Sequence, residues 1–200
     1  MNKKETAKKV IKINRGIATN KDFAQYGLTN RDLSVLANKG HIERVAKGIY
    51  QLPEDFLDDE KLIKELLPKG VLCMETALYY YGYSDFYPRE WSIAVPRTAT
   101  NQIKKITELS IKPYFTRKEI FDIGKTSADI NGVVLPIYDR ERTICDCFRY
   151  RTKLDYELFN KAIKAYSKDK NKNVSNLTKY AKEMKIYEKV MDVMEVILNG

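Results

Sequence analysis

The sequence is short of the parts from which enzymes are commonly built. It has one histidine, His41, among 200 residues, so a Ser or Cys nucleophile has a single possible imidazole base. Cysteine is scarce too: Cys73, Cys145 and Cys147 make an odd count. The nearest pair is a C-x-C whose side chains diverge on a helix, which indicates neither a disulfide framework nor a zinc site. A reducing compartment fits. The nine glycines are scattered and never form G-x-x-x-x-G-K-[ST], so no phosphate loop of that type is indicated. Asp139, Glu141 and Asp146 are close in sequence, but Arg140 and Arg142 intervene, which favours capping and ion pairing over a metal-binding carboxylate group. No run of 18 apolar residues occurs, and MNKKETAKKV lacks the apolar core of a signal peptide. The expectation is a cytoplasmic protein without membrane span, cofactor, metal site or catalytic residues.

Charge is present and unevenly placed. The net is +9, from 36 basic and 27 acidic residues. Residues 1–52 carry 11 Lys and Arg against 4 Asp and Glu, a net of +7; residues 53–150 carry −2 and residues 151–200 carry +4. A positive head favours an anionic partner, nucleic acid above all. The basic tail, with Lys161, Lys164, Lys168, Lys170 and Lys172, reads mainly as solvated helix surface.

The most informative stretch is TNKDFAQYGLTNRDLSVLANKGHIERVAKGIYQL, from Thr19 to Leu52. Thr19 and Thr29 are each followed three residues later by an acid, Asp22 and Asp32, which is the capping-box pattern and marks two helix starts. Gly27 suits the turn between them and Leu28 plugs it, as in a helix-turn-helix. In the second helix Leu33, Leu36 and Ala37 share an inner face, leaving Asn30, Arg31, Ser34 and Asn38 outward. These are side chains that hydrogen-bond to base edges. His41 to Val45 and Ile49 to Leu52 read as a hairpin with its tip at Arg44 to Gly48, a basic wing for a phosphate backbone. The candidate DNA-binding set is therefore Thr29, Asn30, Arg31, Ser34, Asn38, Arg44, Lys47 and Gly48. The alternative is a protein-interaction module whose winged head reads no sequence.

Around this head the chain reads as α+β, with two domains, 1–55 and 56–200. Ala7, Val10 and Ile11 mark a first helix. Beyond Pro53 the pattern predicts a helix over 57–67, a buried helix over Leu72 to Tyr83, and strands over 91–95, 111–115, 126–130 and 133–138. Asn131-Gly132 is a hairpin turn signal, and the strands together suggest a small antiparallel sheet. Ala99 to Leu109 has a weaker helical pattern. A C-terminal helical bundle follows, with stripes of Ile144, Cys147 and Phe148; of Leu158, Phe159, Ala162, Ile163 and Tyr166; of Leu177, Tyr180, Ala181 and Met184; and of Val190, Met191, Met194 and Ile197. Four tyrosines between Tyr79 and Tyr83 suggest a core or domain-contact role more than base stacking, because no basic residues interleave with them.

In the order and spacing of GIATNKDFAQYGL, VAKGIYQLP, TALYYYGYSD, WSIAVPR and DRERTICD, the chain resembles the AbiEi antitoxins of type IV toxin-antitoxin systems, which also act in abortive infection against phage. The resemblance implies a transcriptional autorepressor that binds inverted repeats upstream of its own operon, two copies per operator. It also implies a nucleotidyltransferase-like toxin as functional partner, counteracted without an obligatory direct complex. By the motif, Thr29, Asn30, Arg31, Ser34 and Asn38 match the recognition helix and Lys47 with Gly48 the wing. No motif marks residues responsible for antitoxicity.

Overall fold

The computed structural model describes residues 2–199, with side chains described through Met194; Ile197 of the last predicted stripe therefore lies outside the described side chains. Internal contacts part the chain into two compact units, Met1–Lys61 and Leu62–Gly200.

In the first unit, α1 (Lys3–Ile13) starts at Asn2, whose side chain accepts from the Lys4 amide, and buries Thr6, Ala7, Val10 and Ile11. Arg15 and Gly16, both at positive φ, reverse the chain into β1 (Ile17–Thr19). Then come α2 (Asn20–Gln25), α3 (Asn30–Asn38), β2 (Glu43–Ala46) and β3 (Ile49–Gln51). Strand β3 lies between β1 and β2 and is antiparallel to both. The expected hairpin thus carries a third strand, β1, whose three residues are too few to show a period in the sequence. Phe23 meets Tyr50 edge-on at 5.8 Å between ring centroids, tying α2 to the sheet over a core that includes Leu28, Leu33, Leu36 and Ile42.

The second unit follows α4 (Asp59–Leu66), which straddles the division. Its elements are β4 (Val71–Leu72), α5 (Met74–Tyr80), β5 (Trp91–Pro96), α6 (Thr100–Ile103), β6 (Ile111–Thr116), β7 (Lys125–Ile130), β8 (Val133–Tyr138), α7 (Arg140–Arg149), α8 (Tyr156–Lys168), α9 (Val174–Glu183) and α10 (Tyr187–Asn199). Five strands form one sheet in the order β6-β5-β4-β8-β7. The β7–β8 hairpin turns on Asn131 and Gly132, both at positive φ, as the Asn-Gly pair requires. The sheet also has pairings that the sequence did not suggest: β5 with β6 and β4 with β8 run parallel. Leu72, predicted to open a helix, lies in β4 instead, and the helix begins only at Met74. A two-residue strand of full burial has no alternation to read.

Helix α7 organises this unit. An apolar stripe is expected, yet every residue from Glu141 to Phe148 is buried, charged ones included, because α5, α8 and α9 all pack on it. Asp139 caps it, accepting from the Arg142 amide at 2.8 Å and from the Tyr180 hydroxyl at 3.0 Å. Glu141 accepts from the Tyr166 hydroxyl at 3.1 Å and the Asn173 amide at 2.7 Å. Arg142 is fully buried; it donates from Nε to Asp146 at 3.1 Å and from Nη1 to the Ile120 and Ile123 carbonyls, and its guanidinium stacks 4.1 Å from the Tyr138 ring centroid. Capping accounts for Asp139 and ion pairing for Asp146, as read from the sequence, whereas Glu141 does neither and instead holds a tyrosine and a backbone amide. Gly124 is obligatory beside it: its φ is +68°, and a Cβ there would lie 2.4 Å from that of Arg142.

The tyrosine cluster divides. Tyr81 donates to the Tyr138 carbonyl at 2.8 Å and Tyr83 to Asp169 at 2.6 Å, whereas Tyr79 and Tyr80 stay exposed. The three cysteines are free and buried, and burial pushes their thiols up from the ordinary value.

Removing the Arg142 guanidinium leaves buried Asp146 with Arg149 alone, 3.5 Å away, and takes the donor from the Ile120 and Ile123 carbonyls, so Arg142→Ala is expected to cost about 3–5 kcal/mol. Lys112 pairs with Glu75 at 2.6 Å but is well exposed, and Lys112→Ala is expected to cost only ~0–1 kcal/mol. Urea denaturation of the two variants checks the contrast, and equal costs refute it.

Candidate nucleic-acid interface

The start of α3 sets which side chains face outward. Thr29 Oγ1 accepts from the Asp32 amide at 3.2 Å and donates to Asp32 Oδ2 at 2.8 Å, while the Thr29 amide donates to the same carboxylate oxygen at 3.0 Å. Thr19 and Asp22 form the same box at the start of α2. Between the two helices Gly27, at φ +75°, lets the Leu28 amide reach back to the Phe23 carbonyl at 3.1 Å, and the Leu28 side chain is buried. With α3 begun there, Leu33 and Leu36 point inward and Asn30, Arg31, Ser34 and Asn38 are exposed.

The eight expected residues do not all play the same part. Thr29 is exposed, but its hydroxyl is engaged in the cap. The Ser34 hydroxyl donates to the Asn30 carbonyl at 3.0 Å, which leaves it an acceptor. Arg44 and Lys47 are exposed on the hairpin, with Arg44 Nε donating to the Ala46 carbonyl at 3.3 Å. Gly48 has φ +77° and shapes the turn; its carbonyl accepts from the Asn20 amide at 2.9 Å, and a Cβ on it would lie 3.1 Å from Asn20 Nδ2. Asn30, Arg31, Asn38 and Lys47 are thus the members with side chains turned outward and not consumed by local structure.

The structure adds residues that the sequence did not single out. Val35 lies on the outer face of α3 with 46% of its surface exposed, among polar neighbours. A valine so placed offers apolar surface of the kind that can meet a thymine methyl. Arg31 and Val35 line a cleft of about 450 Å³ together with Lys3, Lys4, Lys39 and His41. Burial lowers the His41 pKa from its ordinary 6.5, and the nearby charges of Lys4, Lys39 and Lys8 lower it further. That repulsion marks a concentration of positive charge beside α3 that only the folding of α1 onto it creates. The one carboxylate of the cleft, Asp32, is answered by Lys3 Nζ at 2.7 Å. With Lys3 and the Thr29 bonds beside it, its pKa falls to about 2. Among the described residues, no group of three or more His, Cys, Asp or Glu is placed to hold a metal ion, and no helix is long and apolar enough to cross a membrane.

Residues 5–53 match the family model described as "Transcriptional regulator, AbiEi antitoxin". The match covers the winged head and stops where it ends, so the later phrases TALYYYGYSD, WSIAVPR and DRERTICD lie outside it. No curated protein matches the chain. Among solved structures, the RV2827C protein from Mycobacterium tuberculosis aligns with a TM-score of 0.67 at 11% identity, covering 97% of this chain and 80% of that one. At that identity the likeness is one of fold, and it spans both the winged head and the mixed unit behind it.

The Asp32 carboxyl has a lower pKa in the folded chain than in the unfolded one. Its contribution to stability is therefore complete above the ordinary value of 3.8 and is lost as the pH falls toward 2. Lys3→Ala is expected to move the Asp32 midpoint back up toward 3.8, read by NMR titration of its side-chain carbonyl carbon. Thr29→Ala, which removes the cap itself, is expected to cost about 1 kcal/mol in denaturation.

Proposed function

We propose that the winged head reads duplex DNA in sequence, and that the protein is the antitoxin and transcriptional autorepressor of a type IV toxin-antitoxin operon. The observation that carries this reading is the outer face of α3. It exposes two amides, a guanidinium and a valine beside a basic cleft, in the segment that matches the regulator family. Placed in a major groove, Arg31 takes a guanine edge, Asn30 and Asn38 are suited to adenine, and Val35 touches a thymine methyl. Lys47 at the wing tip, with Lys4 and Lys39, contacts phosphates and positions the helix without reading sequence.

A single winged head covers about one half-site, so an inverted repeat takes two copies. The division we propose is a DNA-binding domain over 1–55 and an antitoxin domain over 56–200. The second domain acts against a nucleotidyltransferase-like toxin without an obligatory complex. The protein resides in the cytoplasm, where operator and toxin both are. The alternative, an interaction module with an idle winged head, draws on the exposed aromatics of the second unit, Tyr79, Tyr80, Phe86 and Tyr87, since exposed apolar patches commonly mark contact surfaces.

Gel-shift titration of the upstream intergenic repeat against a scrambled duplex at matched salt decides between the two. On the repeat, Arg31→Ala is expected to cost roughly 1–3 kcal/mol and to leave scrambled binding nearly unchanged, whereas Lys47→Ala weakens both duplexes and flattens the salt dependence by about one unit. Equal affinity of the native protein for repeat and scrambled DNA refutes the regulator reading.

A further inference from the structure

A second concave site with unpaired positive charge lies in the mixed unit. Strands β5 and β6 run parallel in unbroken register from Trp91 opposite Ile111 to Pro96 opposite Thr116, so they end side by side. Each is followed at once by an arginine: Arg97 opens the 3-10 turn Arg97–Ala99, and Arg117 caps the 3-10 turn Lys118–Ile120. The two chain ends enclose a cleft of about 450 Å³ lined by Pro96, Arg97, Thr98, Arg117, Lys118 and Phe121.

Two properties mark this cleft. First, Arg97, Arg117 and Lys118 come from two strands far apart in sequence, and none forms an ion pair or a side-chain hydrogen bond among the described residues. Secondly, the cleft lies beyond the carboxyl ends of two adjacent parallel strands, the end of the strands at which open α/β sheets hold their ligands. The two acids on the rim do not cancel the three cations: Asp122 faces Lys125 at 3.8 Å, and only Glu119 is left to oppose them.

We propose that this cleft binds a phosphate-bearing small molecule of nucleotide size. Arg97 and Arg117 grip phosphate oxygens with their planar forks and Lys118 adds a point charge. Pro96 and Phe121 line the apolar part of the site, and a volume of this order suits such a ligand. The inference does not depend on the winged head reading DNA.

Calorimetric titration of the full-length protein with ATP, pyrophosphate and adenosine tests it. Saturable binding of ATP and pyrophosphate, one per chain, is expected, with none for adenosine. Each arginine replaced by alanine is expected to weaken ATP binding roughly tenfold. Lys118→Glu should weaken it as well, and Lys164→Ala, on α8 outside the cleft, should leave it unchanged. These positions are exposed, and circular dichroism confirms that each variant is folded. Absence of saturable binding to ATP and pyrophosphate, equal binding of ATP and adenosine, or ATP binding that survives both arginine changes overturns the proposal. So does a loss of duplex-DNA binding without loss of ATP binding, which would assign the arginines to a nucleic-acid surface.

Discussion

The outward face of this protein depends on one exchange of hydrogen bonds. Thr29 and Asp32 satisfy each other's amides at the first turn of α3, and that fixes where the helix begins. Residues advance about 100° at a time around a helix, so its starting residue decides which side chains turn inward. Leu33 and Leu36 then meet the core, and Asn30, Arg31, Val35 and Asn38 meet the solvent. The matching box at Thr19 and Asp22 does the same for α2, so both helices of the pair start from a local signal that needs no tertiary help.

Local signals were the legible ones. Threonine caps, the Gly27 turn, the basic hairpin and Asn131-Gly132 each depend on a few adjacent residues, and they appear where the sequence places them. What stayed hidden needed distant partners. Strands β1 and β4 have three and two residues, and only pairing with β3, or with β5 and β8, makes them strands. The parallel pairings could not be read from alternation either, since alternation is blind to direction. At the candidate interface, Arg31 stands out as a side chain type, whereas Val35 looks like core until its exposure is known. The positive cleft exists only because α1 brings Lys3 and Lys4 beside Lys39.

The charged motif DRERTICD illustrates the opposite hazard. Acids and arginines in alternation resemble chemistry, but here each has a structural partner inside a folded core. Asp139 closes a helix end, Glu141 holds a tyrosine and a backbone amide, and Arg142 bridges Asp146 to the carbonyls of the 118–123 segment. Satisfaction is not complete, since Arg142 Nη2 is buried without a partner and Arg149 Nη1 has only its ion pair to Asp146 at 3.5 Å. A hydrophobic isostere cannot replace such a guanidinium without stranding what it holds. The motif therefore bears on how the second unit folds and gives no reaction to assign.

The bond from the Asn20 amide to the Gly48 carbonyl joins the wing tip to the first residue of α2. The hairpin tip is consequently tied to the helix pair and does not stand free of it. Through that one bond a change of shape at the turn is handed across the chain to the entrance of the helix pair, so hairpin and helices answer to the same disturbance.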